Sequence, residues 1–184
     1  MERPRDRREI EDCLLRYVRG VDRKNWDLVR SAYHTDAFDD HGNYKGGVDG
    51  FIDSLVQRHA TIEQSMHVVS NLTSEFAAPD SALAESYVIT HQRISPEAGD
   101  ARLPYLRGVP IRPDEAVETE VVGRYVDHVT RRDGAWRIER RTVVFEVFRG
   151  QPAPAGGGLR SNWALSRRDG DDPLDRARRE LGLS

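Results

Sequence analysis

The sequence predicts an α+β fold: a cone-shaped, curved antiparallel sheet packed with N-terminal helices. Three observations predict it. Apolar residues recur at helical spacing over roughly the first 60 residues, then at period two from about residue 65 to residue 149. The run RRDGAW carries an Asp-Gly pair, which supplies the positive-φ positions of a tight hairpin. Helices come first and strands follow as a block, the order that sets helices on one face of an antiparallel sheet.

The first element is a helix from about residue 6, because Ile10, Cys13, Leu14, Tyr17, Val18 and Val21 form one apolar stripe. The stretch DRKNWD, residues 22–27, breaks or turns it. A second short helix carries Trp26, Val29 and Tyr33, with Asn25 as its N-cap. The run DAFDDHGNYKGG reads as a short strand or irregular segment closed by a Gly-Gly turn. Helical spacing returns over 48–60, with Val48, Phe51, Ile52, Leu55, Val56 and His59 along one side.

Strands follow at about 65–77, 82–94, 117–131 and 135–149, the first two joined by the short turn APDS. On 82–94, Glu85, Tyr87, Ile89, His91 and Arg93 share a face. The Pro-rich connection 95–116 is long for a compact fold, which marks it as a lid or interface element. Residues 1–149 read as one domain and 150–184 as a C-terminal tail, opened by the linker QPAPAGGG and carrying a short helix over DDPLDRARRELGL.

Composition narrows the function classes. With 184 residues and a net charge of -3, the chain lacks the basic face that nucleic acid or an anionic membrane requires. No apolar run approaches a membrane span. Cys13 is the single cysteine, so an internal disulfide or thiolate cluster is impossible. The charged N-terminus MERPRDRREIED has no apolar core of a secretory signal, and a cytoplasmic setting is expected.

A cone of this kind encloses a pocket, so polar residues on its inward faces are candidates for chemistry. Asp22 sits at the edge of the first helix's apolar stripe, as either a turn residue or a carboxylate at the pocket. His67 precedes an apolar strand run, and His91 lies on the next strand between Thr90 and Gln92. Together they supply a base that titrates near neutrality, an orienting carboxylate and a second proton handler. His34, His41, His59 and His128 show no metal-ligand spacing. The sequence also lacks a phosphate loop and a nucleophile elbow, so neither metal nor cofactor is expected.

The pieces RYVRGVDRKNWD, FDDHGNYKG, SMHVVSN, YVITHQRI and YVDHVTRRDGAWRI occur in the order seen in the SnoaL-like branch of the nuclear-transport-factor-2-like superfamily, which the chain resembles over roughly residues 6–149. The resemblance implies a cystatin-like α+β barrel. Among its cofactor-independent lyases, bile acid 7α-dehydratases resemble this chain at Tyr17, Asp22, Trp26-Asp27 and at His67 after Ser-Met. Hexachlorocyclohexane dehydrochlorinases are similar at Gly20-Val21-Asp22 and His67, and scytalone dehydratases at His91-Gln92-Arg93. The scytalone dehydratase pocket tyrosine has no counterpart; Asp40-His41 stands in that region.

The resemblance implies a catalytic set of Asp22, His67, Tyr17 and His91. Trp26, Asp40, His41, Tyr87 and Arg124 complete the expected substrate-binding set. It implies a dehydratase acting on a hydrophobic, hydroxylated ring compound of steroid or polyketide type. The alternatives are an isomerase or cyclase of the same fold, and a non-catalytic binding module or dioxygenase β-subunit-like partner. A homodimer or homotrimer is expected, since this fold commonly packs its sheet face against a second copy.

Overall fold

In the computed structural model residues 3–183 are described. Helix α1 spans Pro4–Arg23, its proline in the first turn where a backbone N–H would have no partner. It buries Ile10, Cys13, Leu14, Tyr17, Val18 and Val21, and full burial of each large aliphatic contributes about 1.5–3 kcal/mol. It ends at Lys24, whose left-handed φ of 55° turns its N–H back onto the carbonyls of Gly20 and Val21. Asn25 then caps α2 (Trp26–Ser31), its side chain accepting from Leu28 N at 3.0 Å. Gly20 permits the close approach of α2, because a Cβ there would lie 2.8 Å from both the backbone nitrogen and Cγ2 of Val29. The third helix, α3, spans Val48–His59 and buries Phe51, Ile52, Leu55 and His59.

Six strands follow one sheet: β1 (Tyr33–Asp40), β2 (Lys45–Gly47), β3 (Ile62–Ala78), β4 (Ser81–Ile94), β5 (Ala116–Arg132) and β6 (Ala135–Ala153). Their order is β2-β1-β6-β5-β4-β3, so the curved sheet stays open, with β3 at one edge. The β3-β4-β5-β6 body is antiparallel, as the hairpin signals predict. Asp133 and Gly134, at φ 52° and 77°, form the β5–β6 turn. The segment DAFDDHGNYKGG contributes two real strands, and β1 joins β6 in parallel. That pairing departs from an all-antiparallel sheet because β1 arrives off α2 rather than through a hairpin, leaving its direction free of any turn.

One face of the sheet receives the helices. On β4 that face carries Ala82, Ala84, Ser86, Val88, Thr90 and Gln92, all buried. The small residues let α1 and α3 lie close, and Tyr17, Phe51, Tyr125 and Trp136 fill the core between the layers. A register shift in β3 between Ser70 and Thr73, with Asn71 at φ 51°, bends the edge strand as a bulge does. The connection after β4 packs instead of looping out: α4 (Leu103–Leu106) sets Leu106 against Ile62, Ile94 and Val117 in a second small core. Well after β6 comes helix α5 (Pro173–Glu180), capped by Asp172 and Asp175 in a capping box.

Candidate active site

The free side of β3 turns toward the end of α1. Edge-strand N–H groups need partners, and Asp22 supplies one. Its Oδ2 accepts the backbone N–H of His67 at 2.9 Å. Its Oδ1 accepts the Ser65 hydroxyl at 2.9 Å and lies 2.7 Å from His67 Nδ1. With the carboxylate as acceptor, a neutral His67 ring carries its proton on Nδ1 and leaves the Nε2 lone pair free. Nε2 has no hydrogen-bond partner among the described residues. The His67 side chain is only 6% exposed. Burial of Asp22 works against its ionisation, yet the bonds from the His67 ring, the His67 backbone and Ser65 outweigh it and hold the carboxyl below its ordinary range.

Register places Thr90 opposite His67 and Gln92 opposite Ser65. Gln92 Nε2 donates to Ser65 Oγ at 3.4 Å, and its Oε1 accepts from Arg58 Nη2 at 3.2 Å. The core between helices and sheet is aromatic: Tyr17 meets Tyr33 and Tyr125 edge-on at 5.7 and 5.9 Å and stacks with Phe51 at 6.5 Å. Arg141 lies between Tyr17 and Tyr125, 4.2 and 4.0 Å from their ring centres, and forks onto Asp127 at 2.7 and 2.8 Å. Burial pushes the Tyr17 phenol well above its ordinary range, with Tyr125 adding to the rise, so Tyr17 stays a donor.

The nine residues singled out from sequence divide between the two faces. Asp22, His67 and Tyr17 lie on the helix-facing side. His41 joins them, 4.9 Å from the Phe51 ring, with Nδ1 3.1 Å from Asp39 Oδ1. Burial lowers the pKa of His41, with Asp39 opposing. Trp26 stands edge-on to His59 at 5.8 Å.

The other four are not brought to the dyad. His91 pairs with Met66, not His67, and points out of the opposite face, 54% exposed and 3.3 Å from Glu120. Tyr87 and Arg124 share that outer face, Arg124 bridging Glu85 and Glu146. The shared face of Glu85, Tyr87, Ile89, His91 and Arg93 is real, but from Glu85 to His91 it is the solvent side, because the alternate positions carry the small residues that fit under the helices; Arg93, at its end, is buried between Glu63 and Glu118. Asp40 is held at the β1–β2 turn by Lys45 at 2.9 Å. Its neighbour Asp39 is the buried one, accepting from Tyr33 Oη at 2.7 Å.

Sequence reasoning missed Ser65, Gln92, Asp39, Tyr125 and Arg141. The alternation of β4 held a usable signal: Thr90 and Gln92 share their face with Ala82, Ala84 and Ser86. Among the described residues no three His, Cys, Asp or Glu side chains are grouped to hold a metal ion.

The family model of the SnoaL-like domain matches residues 2–142. The chain belongs to the SnoaL-like family. No curated protein matches it. Solved structures share its fold. A hexachlorocyclohexane dehydrochlorinase of type 2 is 17% identical with a TM-score of 0.65, over 86% of this chain and 95% of that one. A candidate scytalone dehydratase from Novosphingobium aromaticivorans is 20% identical with a TM-score of 0.62, over 81% and 92%. A cystatin-like protein from Nostoc punctiforme is 15% identical with a TM-score of 0.55, over 79% and 96%. At these identities the likeness establishes the fold. Among the described residues no helix is long and apolar enough to cross a membrane.

Proposed function

We propose that this SnoaL-like protein is a cofactor-independent lyase, a dehydratase of hydrophobic, hydroxylated ring compounds of steroid or polyketide type. The observation that carries the reading is the 2.7 Å contact between Asp22 and His67, which leaves His67 Nε2 as the free base. Relatives by fold named as a dehydrochlorinase and a candidate scytalone dehydratase support an elimination reaction.

In the proposed step His67 Nε2 removes the proton from the carbon next to a carbonyl, and Asp22 stabilises the imidazolium. Charge develops on the carbonyl oxygen, where the protonated Tyr17 donates. The β-hydroxyl then leaves, taking the proton from Nε2–H as water, and a conjugated enone remains. The inward face supplies Gln92 and Thr90 beside the base, so the second polar group assigned to His91 falls to Gln92. Returning the proton to a different carbon instead would make the same parts an isomerase, and product analysis separates the two.

The proposal includes a homodimer or homotrimer formed through the outer face, where Met66, Val68, Tyr87 and Ile89 form an exposed apolar strip. It also keeps a cytoplasmic setting, in which Cys13 stays a buried thiol donating to Ala32 O at 3.3 Å. The test is a panel of β-hydroxy ketone steroids and polyketides, read by enone absorbance, with His67→Ala as control. Turnover by wild type alone is expected; equal turnover by the variant removes the base from the mechanism.

A further inference from the structure

The segment after β6 lies beyond the residues that match the family model, yet it returns to the dyad. Leu159, Trp163 and Leu165 line a groove of about 520 Å³ together with Asp22, Ser65, His91 and Gln92. Contact tightens at Arg168. Its Nε donates to Asp22 O at 2.8 Å and its Nη1 to Ile62 O at 2.7 Å. Its Nη2 donates to Val21 O at 2.9 Å and meets His59 Nδ1 at 2.6 Å.

These acceptors share a physical origin. Val21 and Asp22 stand in the last turn of α1, at the negative end of the helix dipole, where the Val21 carbonyl has only the 3.3 Å contact from the Lys24 N–H beside Arg168. Ile62 opens β3, the strand that carries His67. A rigid guanidinium fork reaches the three carbonyls from three separate nitrogens held in one plane, whereas an ammonium gathers its three donors on a single freely rotating atom. His59, fully buried, accepts through Nδ1 and is therefore neutral. The charged groups around this junction are Asp22, Arg23, Lys24 and Arg58, with His59 and His67 as the titratable rings.

We propose that Arg168 is a positioning residue for the dyad: one guanidinium ties the backbone that carries Asp22 to the start of the strand that carries His67. The inference rests on the reading of Asp22 and His67 as the acid–base pair. It makes the C-terminal segment part of the site's construction, although it contributes no group to the chemistry.

The test is nitrogen NMR of the His67 ring in the full chain, at about pH 9, above the ordinary imidazole range. The wild type is expected to hold a single Nδ1–H tautomer with slow proton exchange. In Arg168→Met, with folding verified by the amide spectrum, Nδ1–H exchange is expected to rise about tenfold or more and both tautomers to appear. Arg168→Lys, which keeps the charge but not the fork, is expected to lie between. Wild-type behaviour in the folded Met variant, or in the Lys variant if the Met variant does not fold, overturns the proposal. Ile138→Val, a destabilising change remote from Arg168, is expected to leave the ring unaffected; equal acceleration there also overturns it. Asp22→Asn separates the two readings. Retained Nδ1–H in that variant defeats the dyad itself, whereas a changed tautomer there with an unchanged Arg168→Met defeats only the role of Arg168.

Discussion

Replacing Asp22 by asparagine exchanges one oxygen for an NH2 group and should invert the histidine. The carboxylate accepts three bonds, two on Oδ1 and one on Oδ2. An amide has one oxygen, and the backbone N–H of His67 can only donate, so the new side-chain carbonyl is expected to take the Oδ2 position. The amide NH2 then faces Ser65 Oγ and His67 Nδ1. The hydroxyl can rotate to accept, and Nδ1 can accept only if the ring proton moves to Nε2. Every bond is remade, with charged acceptors exchanged for neutral ones, so the stability cost is about 1–3 kcal/mol. The base, however, is lost, because Nε2 now carries the proton. In serine proteases the analogous exchange lowers kcat by about 10⁴, and a loss of about 10³–10⁴ is expected here. Nitrogen NMR reads the tautomer, thermal melting reads the stability, and enone formation reads the rate. A folded variant that keeps Nδ1–H, or turns over within about tenfold of wild type, would refute the assignment.

Three further outcomes are expected. Burial, with Arg58 and Arg168 adding to it, pushes His59 down to about 2, so the folded protein refuses a proton that the unfolded chain accepts below about pH 6.5. This part of the stability is complete above about pH 6.5 and falls by about 1.4 kcal/mol per pH unit as pH drops toward 2. Urea unfolding of His59→Gln should show a shallower acid slope; identical slopes would contradict the buried neutral ring. The depressed Asp22 carboxyl adds a separate loss only below about pH 4, its ordinary range. Asp127→Ala strands the fully buried Arg141 guanidinium and should cost about 3–5 kcal/mol by urea unfolding. An unchanged midpoint would show the pair to be dispensable. His91→Ala should leave both turnover and stability within about 0.5 kcal/mol of wild type, since it trims an exposed outer-face residue, whereas Gln92→Ala should slow turnover. A large rate loss in His91→Ala alone would return that residue to the mechanism.

Much of this molecule follows from local chemistry. The stripe from Ile10 to Val21 is an amphipathic helix whatever it packs on, Asn25 is a cap because its side chain reaches the N–H of Leu28, and Asp133-Gly134 is a hairpin because of its positive φ angles. The candidate site was legible only as a pair of motifs, Gly20-Val21-Asp22 and Ser65-Met66-His67, whose meeting at 2.7 Å required the fold. Period two told that His91 and Gln92 point to opposite faces, but not which face the helices cover. That choice belongs to α1 and α3, which settle on the side with the smallest residues. The parallel pairing of β1 with β6, the buried Asp127–Arg141 fork and the return of Arg168 to the end of α1 join residues distant along the chain. Sequence by itself therefore determined the three N-terminal helices, the four long strands in their order and the acid–base candidates, but not β1 with Tyr33, β2 or α4. Tertiary structure alone decided which polar side chains share an interior, because burial depends on what packs against a face and not on the residues that make it.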